Sequence, residues 1–326
     1  MIILRLQGGM GNQMFQYAAA KAVALRLGTE LLLDLGWYHS GTVKQGRVYS
    51  LGNFPNLKER TATFREVFAL APWQAIENIL EHKYLSRCLY RKTLLKLFLK
   101  AGFLPLEENL NAGKKSLFEP IPFSRVYKQR RYEWTAELEA LSDGAYMMGY
   151  WESEKFFRDK HSEIRSLFGF SPDILNSPLG KDILSQHSVA VHVRRGDKLK
   201  TSGFLPTDPA YIKEAVLLVS SKIQDPRFFV FSDDIAWCKE FLPSLCDVRW
   251  FFVEGSKSDN AYRDLCLMAS CCHNIVGTST FSWWGAWLNR NPQKIVVAPH
   301  QSLWFSCSDD STINTDLLCD DWIVLD

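Results

Sequence analysis

Net charge is nearly missing from this sequence: 326 residues sum to +2, so no global field points to nucleic acid. No Cys or His pair stands at zinc-finger spacing, and no clear acidic triad stands beside the arginines; a structural zinc and a catalytic divalent metal are both unexpected. The opening residues lack the basic patch, long apolar run and small-residue end of a secretory signal. The eight cysteines are therefore read as buried thiols in a reducing compartment, and the expected location is the cytoplasm. One long segment, 265–289, lacks Asp, Glu, Lys and Arg and has the length of a membrane span. Its Ser270, His273, Asn274, Thr278, Ser279, Thr280 and Ser282 argue for a buried helix, a strand and a polar turn instead.

What is present is alternation. Ile2-Ile3-Leu4-Arg5-Leu6 reads as a buried strand, residues 7–13 as a glycine loop, 13–27 as a helix stopped by Gly28, and 31–34 as a second strand. Strand, loop, helix and strand make a βαβ unit and so a parallel sheet. Residues 63–100 read as mainly helical, 102–125 as loop with short strands, and 154–168 as a helix. The second half repeats the alternation, with strands near 189–193, 228–232, 250–253, 274–276 and 295–298, and helices between them. The expected class is α/β of GT-B type, two Rossmann-like domains with parallel sheets facing across a cleft. The expected division is 1–175, with the 63–100 helical insertion, and 176–326, joined by the proline-flanked link at 171–178.

Four segments carry chemistry. In residues 7–13, Gly9 and Gly11 let backbone approach a ligand at a helix N-terminus that favours anions, and Asn12 and Gln13 add amides suited to sugar hydroxyls or phosphate. Gly9-x-Gly11 with Asp34 also resembles part of a dinucleotide fingerprint, but position 14 is Met14 rather than the third glycine. His192-Val193-Arg194-Arg195-Gly196-Asp197 ends a strand, where open parallel sheets bind ligands; its arginines suit a diphosphate. Asp197 there is the candidate base or hydroxyl-orienting group. Asp233 and Asp234 end the next strand, where a carboxylate can accept from a guanine or a ribose or simply cap a helix. A hydroxyl-rich turn with Ser279, Thr280, Phe281 and Ser282 enters a helix that holds Trp283, Trp284 and Trp287, a sugar platform or plain core.

Five segments together, GGMGNQMFQYA at 8–18, GYWESEKFF at 149–157, HVRRGD at 192–197, FSDD with Trp237, and the run at 264–289, resemble glycosyltransferase family 11, the α-1,2-fucosyltransferases of bacterial type. The resemblance implies an inverting transfer of L-fucose from GDP-β-L-fucose to the 2-hydroxyl of a terminal galactose, with no cofactor and no metal. It implies donor contacts from Gly9, Gly11, Asn12, Gln13, His192, Arg194, Asp233, Asp234, Ser279, Thr280, Phe281 and Ser282, with Arg194 and Asp197 catalytic. Trp151 lies in a matched segment; Glu152 and Lys198 depart from the family pattern, which usually has Gln and an aromatic there. All three are assigned to the acceptor, a β-galactoside glycan. The alternatives are another nucleotide-sugar transferase, a non-catalytic carbohydrate-binding protein on the same fold, and an NAD-dependent oxidoreductase. Twelve Lys/Arg against three Asp/Glu between Lys83 and Arg131 add one further expectation. Lys83, Arg87, Arg91, Lys96 and Lys100 could line a helix face that rests on anionic membrane at its inner surface, or they could point into water from a helix packed on the first domain.

Overall fold

The computed structural model describes residues 1–39, 47–80, 125–184, 187–196, 198–200, 203, 205–255, 260–304 and 313–326. The described residues form two parallel sheets. The first contains β1 (Ile2–Arg5), β2 (Leu31–Asp34), β3 (Val126–Lys128) and β4 (Ala145–Met148), in the order β2-β1-β4-β3. The second contains β5 (Ser188–Val193), β6 (Arg227–Ser232), β7 (Arg249–Phe252), β8 (His273–Ile275), β9 (Val296–Pro299) and β10 (Ile323–Leu325), in the order β10-β9-β8-β5-β6-β7. Read from β7, that is the 3-2-1-4-5-6 order of a doubly wound sheet, in which the chain reverses direction between β5 and β8. Such a reversal leaves a crevice at the carboxyl ends of those two strands, because their following loops turn to opposite faces.

Helices cover the sheets. They are α1 (Met10–Leu27), the single turn α2 (Gly36–His39), α3 (Phe64–Leu70), α4 (Pro72–Leu80), α5 (His161–Leu167), α6 (Pro178–Ile183), α7 (Pro209–Lys222), α8 (Ile235–Leu245), α9 (Ala261–Ser270) and α10 (Thr280–Leu288). Helix α1 ends where expected. Gly28 takes φ 61°, its N–H reaches Leu25 O and Thr29 N–H reaches Ala24 O, the paired bonds that close a helix through a left-handed residue. Met14, Phe15, Ala18, Ala19, Ala22 and Val23 are buried together with Gln13, Gln16 and Ala20, so α1 is enclosed on nearly all sides.

What encloses it is α10 from the other half of the chain. Phe15 packs on Trp283 and Trp284 with ring centroids 4.4 and 4.9 Å apart, and Phe157 stacks on Trp284 at 5.7 Å. One apolar core therefore runs from β1 and α1 through to α10 and β9. The three tryptophans are that core rather than a sugar platform: none is more than 2% exposed. Their indole N–H groups are spent on Leu317 O, Gly11 O and Glu154 Oε2. Truncating such a side chain to alanine costs about 3–5 kcal/mol.

The structure departs from the sequence reading at several elements. The first helix begins at Met10, not residue 13. The helix expected over 154–168 is two 3₁₀ turns, Glu154–Phe156 and Arg158–Lys160, followed by α5. Ser153 caps the first turn, and Phe157 breaks the spiral at φ −137°, which sends Phe156 and Phe157 into the core together. Strands β3, β4 and β10 and helix α6 were not anticipated. Of the segment 63–100, residues 81–100 lie outside the described residues, and so does 102–124; the basic helix read at Lys83–Lys100 falls there. Among the described residues no helix is long and apolar enough to cross a membrane. Cys238, Cys246, Cys266, Cys271 and Cys319 are free thiols, all buried; Cys88 and Cys307 lie outside the described residues.

Candidate active site

The crevice between β5 and β8 is where two of the four segments meet. His192 is the second-last residue of β5, and residues 277–279 follow β8. The two runs are so close that a side chain at Gly277 would collide with the His192 carbonyl. Thr207 ties them: it is buried, its Oγ1 accepts the N–H of Arg194 at 3.0 Å and of Thr278 at 3.4 Å, and its own N–H returns to Arg194 O at 2.9 Å. Nothing in the sequence singled out Thr207, which stands just before the Asp208 cap of α7.

The two arginines follow the end of β5 at Val193 and go to different partners. Arg194 Nη1 lies 3.2 Å from Asp233 Oδ2. Arg195 instead lies flat over Trp237, 4.2 Å from the ring centroid, with Nε 3.5 Å from Asp234 Oδ2. Asp234 in turn caps α8 by accepting Trp237 N–H at 3.3 Å. Arg195, Trp237 and Asp234 thus brace the loop, and Arg194 with Asp233 faces the crevice beside His192. Burial raises the Asp233 carboxyl, but Arg194 and the N–H groups of Arg195 and Gly196 outweigh it and hold it below the ordinary range. Burial, reinforced by Arg194 and only partly opposed by Asp233, pushes His192 down to about 3, so its imidazole is neutral at any physiological pH. The buried Nδ1 of His192 has no hydrogen-bond partner among the described residues and lies beside Gly277.

From the first sheet, residues 8–13 arrive against the same place. Gly8 has φ 82°, which turns the chain off β1. Gly11 touches α10 directly: Trp284 Nε1 donates to Gly11 O at 3.0 Å, and Thr280 Oγ1 bonds Asn12 Oδ1 at 2.6 Å. The N-termini of α1 and α10 therefore abut, and both carry the positive end of a helix dipole. A Cβ at position 11 would sit 2.6 Å from backbone atoms of Thr280 and Phe281, which cannot yield, whereas one at position 9 would meet only the flexible end of Arg47. Gly11→Ala is therefore expected to lower the melting temperature, at a cost of about 1–3 kcal/mol or more, while Gly9→Ala stays folded; equal melting temperatures for the two variants would contradict this packing. Arg47 is a second cation near the loop, and no motif in the sequence pointed to it.

Not every residue expected at the donor site reaches it. Gln13 is fully buried and its amide is consumed: Nε2 serves Val48 O at 2.8 Å and Gly8 O at 3.2 Å, and Oε1 accepts Ser50 N–H at 2.8 Å. It shapes the loop from behind. Ser282 is buried with its hydroxyl donating to Gly277 O and Ser279 O, and Ser279 Oγ caps α10 through Phe281 N–H. Thr280 and Phe281 are half-buried at the helix start, with the Phe281 ring 5.7 Å from His192. Asp34 is engaged by Tyr146 OH, by Asn78 Nδ2 at 2.9 Å and by Gly36 N–H at 2.8 Å, which leaves no carboxylate for a dinucleotide ribose.

The loop after β4 comes within electrostatic reach of Lys198, which also acts on His192. Trp151 is fully buried with φ 48°, a left-handed conformation that a bulky residue holds only when its surroundings enforce it. Gln129 Oε1 enforces it, accepting Tyr150 and Trp151 N–H at 2.7 and 3.0 Å. The next residue, Glu152, is buried, and Asn314 Nδ2 holds its carbonyl at 2.7 Å. Burial drives the Glu152 carboxyl up to about 7, against the opposing pull of Lys198, which comes from the loop after β5. Glu152 and Lys198, both expected at the acceptor, are thus close enough to interact electrostatically. Asp197 lies outside the described residues. Among the described residues no group of three or more His, Cys, Asp and Glu is placed to hold a metal ion.

The family model for glycosyl transferase family 11 matches residues 1–323. An alpha-1,2-colitosyltransferase of Escherichia coli is 28% identical over 317 residues, 93% of this chain and 92% of that protein. The O-antigen biosynthesis glycosyltransferase WbnK of Escherichia coli is 27% identical over 337 residues, 98% and 99% of the two chains. The galactoside alpha-(1,2)-fucosyltransferase 1 of Saimiri sciureus is 29% identical over 175 residues, 49% of this chain and 47% of that one.

Proposed function

Because the chain belongs to glycosyl transferase family 11, we propose that it transfers L-fucose from GDP-β-L-fucose to the 2-hydroxyl of a terminal galactose, with inversion. The observation that carries the reading is the abutment of two helix N-termini beside Arg194 and the unpartnered His192 Nδ1. In this reading residues 1–175 and 176–326 are the two halves of a GT-B enzyme and the cleft runs between them. The galactose oxygen forms its bond to the anomeric carbon on the face opposite GDP. The bond from that carbon to the phosphate oxygen breaks, its electron pair leaves with GDP, and the hydroxyl proton passes to Asp197. Arg194 and the N–H groups of both helix starts offset the charge that develops on the diphosphate, without a divalent ion. His192 and Asp233 take the guanosine. Gly9, Gly11, Asn12, Thr280 and Phe281 border the donor, while Gln13, Asp234, Ser279 and Ser282 support those residues from behind. Trp151, Glu152 and Lys198 meet the galactoside.

A second donor is supported by the E. coli colitosyltransferase, which aligns over almost its full length. GDP-colitose is accordingly the competing substrate. Thermal shift with GDP, UDP and NAD, with and without EDTA, checks the donor class. GDP alone is expected to stabilise the protein, equally with EDTA present. Stabilisation by NAD or UDP, or a strict demand for metal, would reject the assignment.

A further inference from the structure

A cation from the first half of the chain stands over the start of α1. Arg47 is half-buried, so solvent reaches it, and it precedes the 3₁₀ turn at Leu51–Asn53. Its place is set by Gln13 in the first turn of α1. The buried Gln13 amide donates to Val48 O at 2.8 Å and accepts Ser50 N–H at 2.8 Å, which ties the backbone at 48–50 to the helix. The residue before that tie is thereby brought over Gly9, the N-cap of α1. A Cβ at Gly9 would lie 2.5 Å from Arg47 Nη1, so the guanidinium fills the space that the missing side chain leaves. Tyr38 OH, bonded to Gly8 O at 3.1 Å, lies in the same neighbourhood. Burial raises the hydroxyls of Tyr38 and Tyr150, and the charge of Arg47 partly opposes it at both. Arg47 is therefore close to the Gly8–Gly9 turn and also within electrostatic reach of the loop that carries Glu152.

This is an unfavourable place for a positive charge. The start of a helix is the positive end of its dipole, and the start of α10 abuts that of α1. Neither helix has an acidic residue in its first turn. An anion held between the guanidinium and the helix starts removes the conflict and is attracted by both. We infer that Arg47 belongs to the donor site and that its guanidinium holds the outer phosphate of the nucleoside diphosphate, the one joined to the sugar. The inference rests on the proposed transfer. A donor lying on the starts of α1 and α10, with the galactoside at Glu152, has its outer phosphate at the end toward Tyr150. A guanidinium fork matches two oxygens of that phosphate, and Arg47 supplies it from the first half of the chain as Arg194 does from the second.

Comparing nucleotides with and without that phosphate tests the assignment. In calorimetric titrations of the full chain, Arg47→Ala is expected to weaken GDP by about tenfold or more, the worth of one charge-assisted contact, and to leave GMP unchanged. The melting temperature of the ligand-free protein should not move, because Gln13 holds this segment through backbone atoms of residues 48 and 50. Arg47→Lys keeps the charge without the fork and should recover part of the loss. Native affinity for GDP in Arg47→Ala, or equal losses for GDP and GMP, overturns the inference. A native chain that binds UDP in place of GDP rejects the proposed donor, and UDP against UMP then decides Arg47 by the same comparison. A chain that binds GDP through Arg47 but transfers no fucose counts against the proposed reaction and upholds this residue. One that transfers fucose equally well as Arg47→Ala counts against Arg47 alone.

Discussion

Arg194→Ala is expected to lower kcat/KM for GDP-fucose by about a hundredfold, and Arg195→Ala by no more than a few-fold. Adjacent arginines differ this much because, beyond the end of β5, they meet different partners. Arg194 faces the crevice with His192, 3.2 Å from Asp233, and in the proposed transfer it is the cation that offsets the charge of the leaving diphosphate. Losing one such contact costs about 3 kcal/mol in the transition state. Arg195 is stacked on Trp237 and paired with Asp234 at the start of α8. Its loss should appear as a stability decrease of about 0.5–2 kcal/mol, the worth of a partly desolvated cation on a ring. Steady-state kinetics beside thermal melts of both variants distinguishes the two roles. Equal rate losses, or a near-normal Arg194→Ala enzyme, would contradict them.

Glu152→Gln is expected to stabilise the protein at pH 8 and to leave it unchanged near pH 4. Burial raises this carboxyl from its ordinary 4.5 to about 7. Between those values the folded chain holds a proton that the unfolded chain has released. Stability therefore falls as pH rises from about 4.5 to about 7 and stays lowered above that. At 1.36 kcal/mol per pH unit the loss is on the order of 3 kcal/mol. Glutamine keeps the shape and never ionises, so it removes the whole loss. It is also the residue usual at this position in the family. Chemical denaturation of both proteins at pH 8 and pH 4 measures the effect; a glutamine variant that is no more stable at pH 8 would show that the carboxyl is not raised by burial.

How far the sequence could be read depends on where each signal lay. The ends of β5 and β8 were legible because a buried strand runs straight into glycine, charge and hydroxyls, a change of chemistry within two or three residues. Strand β4 was not, although it is central in its sheet. Ala145-Tyr146-Met147-Met148 has no β-branched residue and no alternation, and only its neighbours β1 and β3 make it a strand. Within residues 8–13, Asn12 and Gln13 looked equivalent, yet one helical step of rotation turns the first toward Thr280 and buries the second. Arg47 and Thr207 reach the site from loops whose sequence announces only a turn or a helix cap. Glu152 was visible as a departure from a pattern, but its raised proton affinity depends on packing that no local run of residues encodes.

The central claim is a sugar transfer to one hydroxyl, and the product tests it most directly. The full chain incubated with GDP-fucose and a disaccharide that ends in β-galactose, with EDTA present, should release GDP and yield one trisaccharide. NMR of that product should place an α-linked fucose on O-2 of the galactose. Fucose on another hydroxyl, a β linkage, or no product from any galactoside while GDP-colitose or another nucleotide sugar is consumed, would contradict it.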